Sequence, residues 1–99
     1  MINISGMKEF QNICKEKLVN WYNTEHEQYV DLVEGASTIK IDTSNVFIVW
    51  SCKTLQNYKA ILSTTVHGDG IIAEYTYNGD KKELYEDVYK KLSNKCIVE

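Results

Sequence analysis

Ninety-nine residues, 43% hydrophobic and 25% charged, fit a single soluble α+β domain over 1–99 with one core. A net charge of −3 and a sequence pI of about 5.4 argue against the basic footprint of a nucleic-acid binder. No apolar run approaches the ~20 residues of a membrane span, and no basic-then-apolar start suggests a signal peptide, so a cytoplasmic location is expected.

All basic residues are lysine; arginine and proline are absent. Planar, bidentate phosphate or guanine recognition usually falls to arginine, so anion binding here must use lysine point charges or backbone N–H groups. Cys14, Cys52 and Cys96 are odd in number and far apart, which gives neither a disulfide framework nor a zinc spacing. Reduced thiols are the expectation.

Ser5 and the run after it read as a capped helix over about 6–23. Met7, Phe10, Ile13, Cys14, Leu18, Trp21 and Tyr22 recur every three or four residues as one apolar stripe. Thr24 to Asp42 is ambiguous: TEHEQYVDL suits a helical continuation, and Ile39 with Ile41 suits a short strand. Thr43-Ser44-Asn45 is a turn cluster.

From Val46 to Tyr77 the chain is rich in Val, Ile, Thr, Tyr, Phe and Trp, the residues of pleated, half-buried surfaces. Three strands are predicted, over 46–53, 58–66 and 71–77. Alternation in the first puts Val46, Ile48, Trp50 and Cys52 on one face. Leu55-Gln56-Asn57 makes the first turn and His67-Gly68-Asp69-Gly70 the second, so the strands form an antiparallel meander.

After Asn78-Gly79, Asp80 and Glu83 match a capping box, and Leu84, Tyr85, Val88, Tyr89 and Leu92 form a stripe that predicts a second helix. Cys96-Ile97-Val98 suits a short last strand. The expected fold is an antiparallel three- to five-stranded sheet with two helices on one face, in the order α-(β)-β-β-β-α-(β).

WSCKTLQN at Trp50–Asn57, AILSTT at Ala60–Thr65 and YNGDKKELY at Tyr77–Tyr85 carry a resemblance. The chain resembles a family of small phage and prophage proteins of Gram-positive bacteria that is described only as a domain of unknown function. The likeness covers roughly residues 7–98 and is weakest between Thr24 and Asp42. It implies an accessory phage product in a bacterial cytoplasm, and it brings no catalytic residues with it.

Chemical signals are weak beside this. A Cys52–His67 thiol–imidazole pair is compatible with the strand order, but it lacks an orienting group and an oxyanion hole. Alternation also points Cys52 toward a core. Consecutive Glu25-His26-Glu27 do not converge on one ion. No catalytic residue, metal or cofactor is assigned, and the chain reads as a non-enzyme. Lys81 and Lys82 at the start of the second helix are the candidate anion-binding residues. The α–β–β–β–α order with those lysines also resembles the double-stranded-RNA-binding domain, against which the acidic charge weighs.

Seven Tyr and two Trp exceed the needs of one small core, and such side chains are enriched at protein–protein interfaces. The expected function is binding: occupying a host or phage protein surface through Trp50, Lys53, Tyr58, Tyr75 and Tyr77, with anti-defence as one version. A homo-oligomer through the sheet is a further expectation. Two alternatives are an oligomeric sponge for a nucleotide-like signal, with phosphate on Lys53, Lys59, Lys81 or Lys82, and an RNA-binding module.

Overall fold

The computed structural model describes residues 1–26, 40–66 and 68–98. One helix, α1 (Met7–Thr24), leads into a 3-10 turn (Thr43–Asn45) and four strands: β1 (Val46–Thr54), β2 (Asn57–Thr64), β3 (Ile71–Asn78) and β4 (Glu83–Lys90). The strands form one antiparallel meander in the order β1-β2-β3-β4, and α1 packs on one face of it against β1 and β2.

The helix forms where its stripe demands. Phe10, Cys14, Leu18 and Tyr22, spaced by four, are its buried residues. Burial of side chains of this size contributes about 1.5–3 kcal/mol each for the larger apolar ones. The N-cap is Gly6, not Ser5; Ser5 instead donates its N–H and hydroxyl to Glu9 Oε2, at 3.0 and 2.5 Å. These bonds hold the Glu9 carboxyl below its ordinary range. At the far end Asn23 clamps the chain entering the sheet: its side chain donates to the Ile41 carbonyl and accepts from the Ile41 N–H, both at 2.8 Å.

Core positions alternate along β2 and β3. Tyr58, Ala60, Leu62 and Thr64 face the helix, as do Ile71, Ala73, Tyr75 and Tyr77. Phe10 stacks on Tyr58 at 5.2 Å between ring centroids. Gly68 and Gly70, with φ of 79° and 64°, supply the left-handed backbone that the β2–β3 loop needs.

The predicted second helix is corrected by the structure: residues 83–90 are β4, paired with β3 from Asn78↔Glu83 to Ile71↔Lys90. Among the described residues the order is therefore α-β-β-β-β, with one helix. The Asp80–Glu83 capping box does not form. Asn78 Oδ1 accepts the N–H groups of Asp80 and Lys81 at 3.0 and 3.2 Å, closing a turn instead. Leu84 and Val88 remain on the helix side, but alternation now puts Glu86 between them and sends Tyr85 and Tyr89 to the other face. Residues 91–98 are exposed and without regular structure, so the expected strand at Cys96–Val98 is absent. Of the expected strand at Ile39–Ile41, Ile39 lies outside the described residues; Lys40 and Ile41 are not in a strand. The helical continuation expected beyond Thr24 falls mostly outside the described residues.

β1 carries a bulge. Ile48 pairs with Leu62 but Trp50 pairs with Ile61, so Val49 is one residue too many for strict alternation. Val46 and Ile48 face the helix, and beyond the bulge Ser51 and Lys53 take over that side. Gln11 Nε2 of α1 accordingly donates to Ser51 Oγ at 2.9 Å. Trp50 and Cys52 therefore join Phe47 on the outer face, which corrects the alternation expected for them.

Candidate functional site

The outer face of the sheet is built from three cross-strand rows. Phe47, Ser63, Ile72 and Tyr89 form the first; Trp50, Ile61, Glu74 and Asp87 the second; Cys52, Lys59, Thr76 and Tyr85 the third. Phe47, Val49, Trp50, Ile72, Tyr85 and Tyr89 are all exposed, Trp50 to 48%. Single exposed apolar side chains are ordinary, but this many on one face make a patch. Lys59 Nζ lies 3.0 Å from Glu74 Oε1 across its middle. Asp87 and Glu83 put negative charge on the β4 margin, where Tyr85 donates its hydroxyl to Glu83 and is held protonated by that bond.

The five contact residues expected from the sequence do not share a surface. Trp50 belongs to the outer patch. Tyr58, Tyr75 and Tyr77 are buried on the helix face and form part of the core. Their alternation with polar neighbours, read from the sequence as surface sharing, is that of a strand with one wet face. Lys53 is exposed at the edge of the helix face, its Nζ 5.6 Å from the centre of the Tyr58 ring. Phe47, Val49, Ile61, Ile72, Tyr85 and Tyr89 were the residues missed. In β3 the signal was present: Ile71, Ala73, Tyr75 and Tyr77 are apolar throughout, so Ile72 had to be on the other side.

Lys81 and Lys82 sit in the β3–β4 turn and open no helix, so the macrodipole argument for them falls. The second helix of the double-stranded-RNA-binding pattern is missing as well. Lys82 does line a groove of about 510 Å³ at the turn end of the helix face, with Lys53, Tyr58, Tyr77, Leu55 and Ile4. Leu55 and Lys82 both have φ of 55°, a left-handed conformation that strains a residue with a Cβ by about 1–2 kcal/mol.

At the other end of the core is a polar cluster. The Tyr22 hydroxyl donates to Asp69, which also accepts from the Thr64 hydroxyl and, at 3.1 Å, from the Ile71 N–H. Burial, with the Asp69 charge, pushes the Tyr22 phenol up to about 12. His26 is 7% exposed and stacks on Tyr22 at 4.1 Å; its Nε2 has no hydrogen-bond partner. Burial lowers its pKa.

Cys52 is half-buried on the outer face, its Sγ 3.9 Å from Thr54 Oγ1. His67 lies outside the described residues, as does Glu27. Among the described residues no group of three or more His, Cys, Asp or Glu side chains is arranged to hold a metal ion, and no helix is long and apolar enough to cross a membrane.

No curated protein and no solved structure matches the chain. A family model does, over residues 11–99, which takes in all but the first turn of α1 and all four strands. The chain belongs to the family of unknown function DUF6275.

Proposed function

We propose that the protein works by binding another protein through the outer face of its sheet. The observation that carries this is the apolar patch around Phe47, Trp50, Ile72 and Tyr89, on a face that α1 does not use. Aromatic side chains at the centre with charge at the margin match the anatomy of protein–protein contacts. Asp87 and Glu83 on that margin, in a chain of net charge −3, suit a partner whose contact surface is apolar at its centre and rimmed by Lys or Arg. The resemblance to phage and prophage proteins supports a host or phage protein as the target, a host-defence component among them.

The test uses Trp50→Asp and Ile72→Asp, with Lys15→Ala on α1, across the sheet from the patch, as a control. Tagged wild-type protein and each variant are compared in capture from bacterial lysate and by light scattering for self-association. The proposal expects a stoichiometric partner retained by wild type and Lys15→Ala, lost in both Asp variants, with unchanged circular dichroism. A wild-type dimer that either Asp variant converts to monomer assigns the face to a second copy and overturns the partner reading.

A further inference from the structure

We propose that the groove at the turn end of the helix face is a second binding site, for a small organic phosphate. It lies across the sheet from the docking patch and is independent of it. Its volume of about 510 Å³ falls within the range of small-molecule sites, roughly 300–1,000 Å³.

Two ammonium groups line it, Lys53 and Lys82, from strands β1 and the β3–β4 turn. Among the described residues neither is in an ion pair, in contrast to Lys59, which Glu74 neutralises. Lys53 lies over the Tyr58 ring, which also stacks on Phe10. One carboxylate, Glu9, also lines the groove, and it is occupied by both donors of Ser5. The lining charge is thus two positive against one negative, in a chain that is acidic as a whole.

The backbone adds an independent sign. Leu55 and Lys82, the non-glycine residues with left-handed φ among the described residues, both line this groove. A glycine would take either position with less strain, so each side chain is kept at a conformational cost. Leu55, 79% exposed, offers an apolar wall with Ile4, and Lys82 a charge. A dianionic phosphate meets the lysines, and the apolar body of its ester lies along Leu55 and Ile4. Point-charge recognition by lysine is the mode left to a chain without arginine.

Isothermal titration and thermal unfolding with adenosine monophosphate, adenosine and inorganic phosphate test this on the full chain. Binding to the native state must raise the melting temperature with ligand concentration. Adenosine monophosphate should bind more tightly than either of its parts. Lys53→Ala and Lys82→Gly should each weaken it about tenfold, a loss in the range of one charge-assisted contact. Lys82→Gly should at the same time leave the unliganded melting temperature unchanged or raised, because it relieves the left-handed strain. Lys59→Ala should bind as wild type does. The proposal is overturned by no response to adenosine monophosphate, by an equal response to inorganic phosphate alone, or by undiminished binding in the Lys53→Ala/Lys82→Gly double variant.

Discussion

The hydroxyl of Tyr75, a side chain with 0% exposed surface, donates to Glu86 Oε2 at 2.6 Å across the β3–β4 pair. The acceptor belongs to an edge strand and the donor to the core, so the bond fastens β4 to the helix side of the sheet. Glu86→Ala leaves a buried phenol without its acceptor, at a cost of about 1–3 kcal/mol. Tyr75→Phe removes the donor and leaves a carboxylate that water can reach, at about 1 kcal/mol. Urea denaturation should rank Glu86→Ala as the more damaging, with Glu86→Gln, which keeps an acceptor, close to wild type. Equal stability of Glu86→Ala and wild type would remove the bond from the account.

Alkaline pH should destabilise the fold earlier than lysine titration would. Burial pushes the Cys14 thiol from 9.0 up to about 12, with the Glu86 charge adding to it. Burial likewise raises the Tyr22 phenol from 10.0 to about 12, and it raises Tyr75 further, helped by the Glu86 bond. Each group keeps its proton in the fold while the unfolded chain releases it. The contribution is complete below the unfolded pKa and is lost above it, at most about 1.4 kcal/mol per pH unit per group. Urea midpoints should therefore fall from about pH 9 upward. Cys14→Ala, though less stable throughout, should show a shallower fall between pH 9 and 10.

The acid side has the opposite sign at His26. Its pKa is lowered from 6.5 by burial and by the Lys90 charge, with Asp69 opposing. The unfolded chain therefore takes up a proton that the fold resists, so stability is full above about pH 6.5 and declines as pH falls. His26→Phe, which keeps a ring against Tyr22, should flatten the melting temperature between about pH 7 and pH 5. A wild-type slope that survives the substitution would place the acid sensitivity elsewhere.

Gly79 joins the two turns. A Cβ built there would stand 2.1 Å from the Gln56 carbonyl oxygen and 2.6 Å from Gln56 Cβ. Its N–H also donates to Asn57 Oδ1 at 3.0 Å, so retreat breaks a bond. Because backbone, not a flexible side-chain tip, is in the way, Gly79→Ala should cost about 2–3 kcal/mol. Gly6→Ala, with nothing within 4 Å, should cost about 1 kcal/mol or less. Thermal unfolding of the two variants checks the contrast.

Much of the fold is legible in the chain, and the reasons for the exceptions are specific. The full stripe Met7, Phe10, Ile13, Cys14, Leu18, Trp21, Tyr22 mixes steps of three and four, which a period of 3.6 fits and a period of 2 does not, and α1 lies within a residue of its expected span. In β4 the pairs Leu84/Val88 and Tyr85/Tyr89 are spaced by four, which is nearly one helical turn and also two strand repeats. That spacing fits both structures, and the unfilled ladder of β3 decides for the strand. The candidate surface was harder to read, because strand alternation shows two faces without saying which one the helix covers. The groove joins Ile4, Lys53 and Lys82, brought together by the packing of the two turns and by the N-terminal segment, whose Ile2 N–H donates to the Lys82 carbonyl.

Val49 decides where Trp50 points. If Val49 took an ordinary place in the ladder instead of bulging, strict phase in β1 would carry Trp50 and Cys52 under the helix with Val46 and Ile48. β1 is thus two half-strands out of phase, joined at a seam. Removing Val49 merges them into one regular strand in which every remaining side chain keeps its side. Val49 is the position in β1 where a one-residue deletion leaves both faces and both ends of the strand in place.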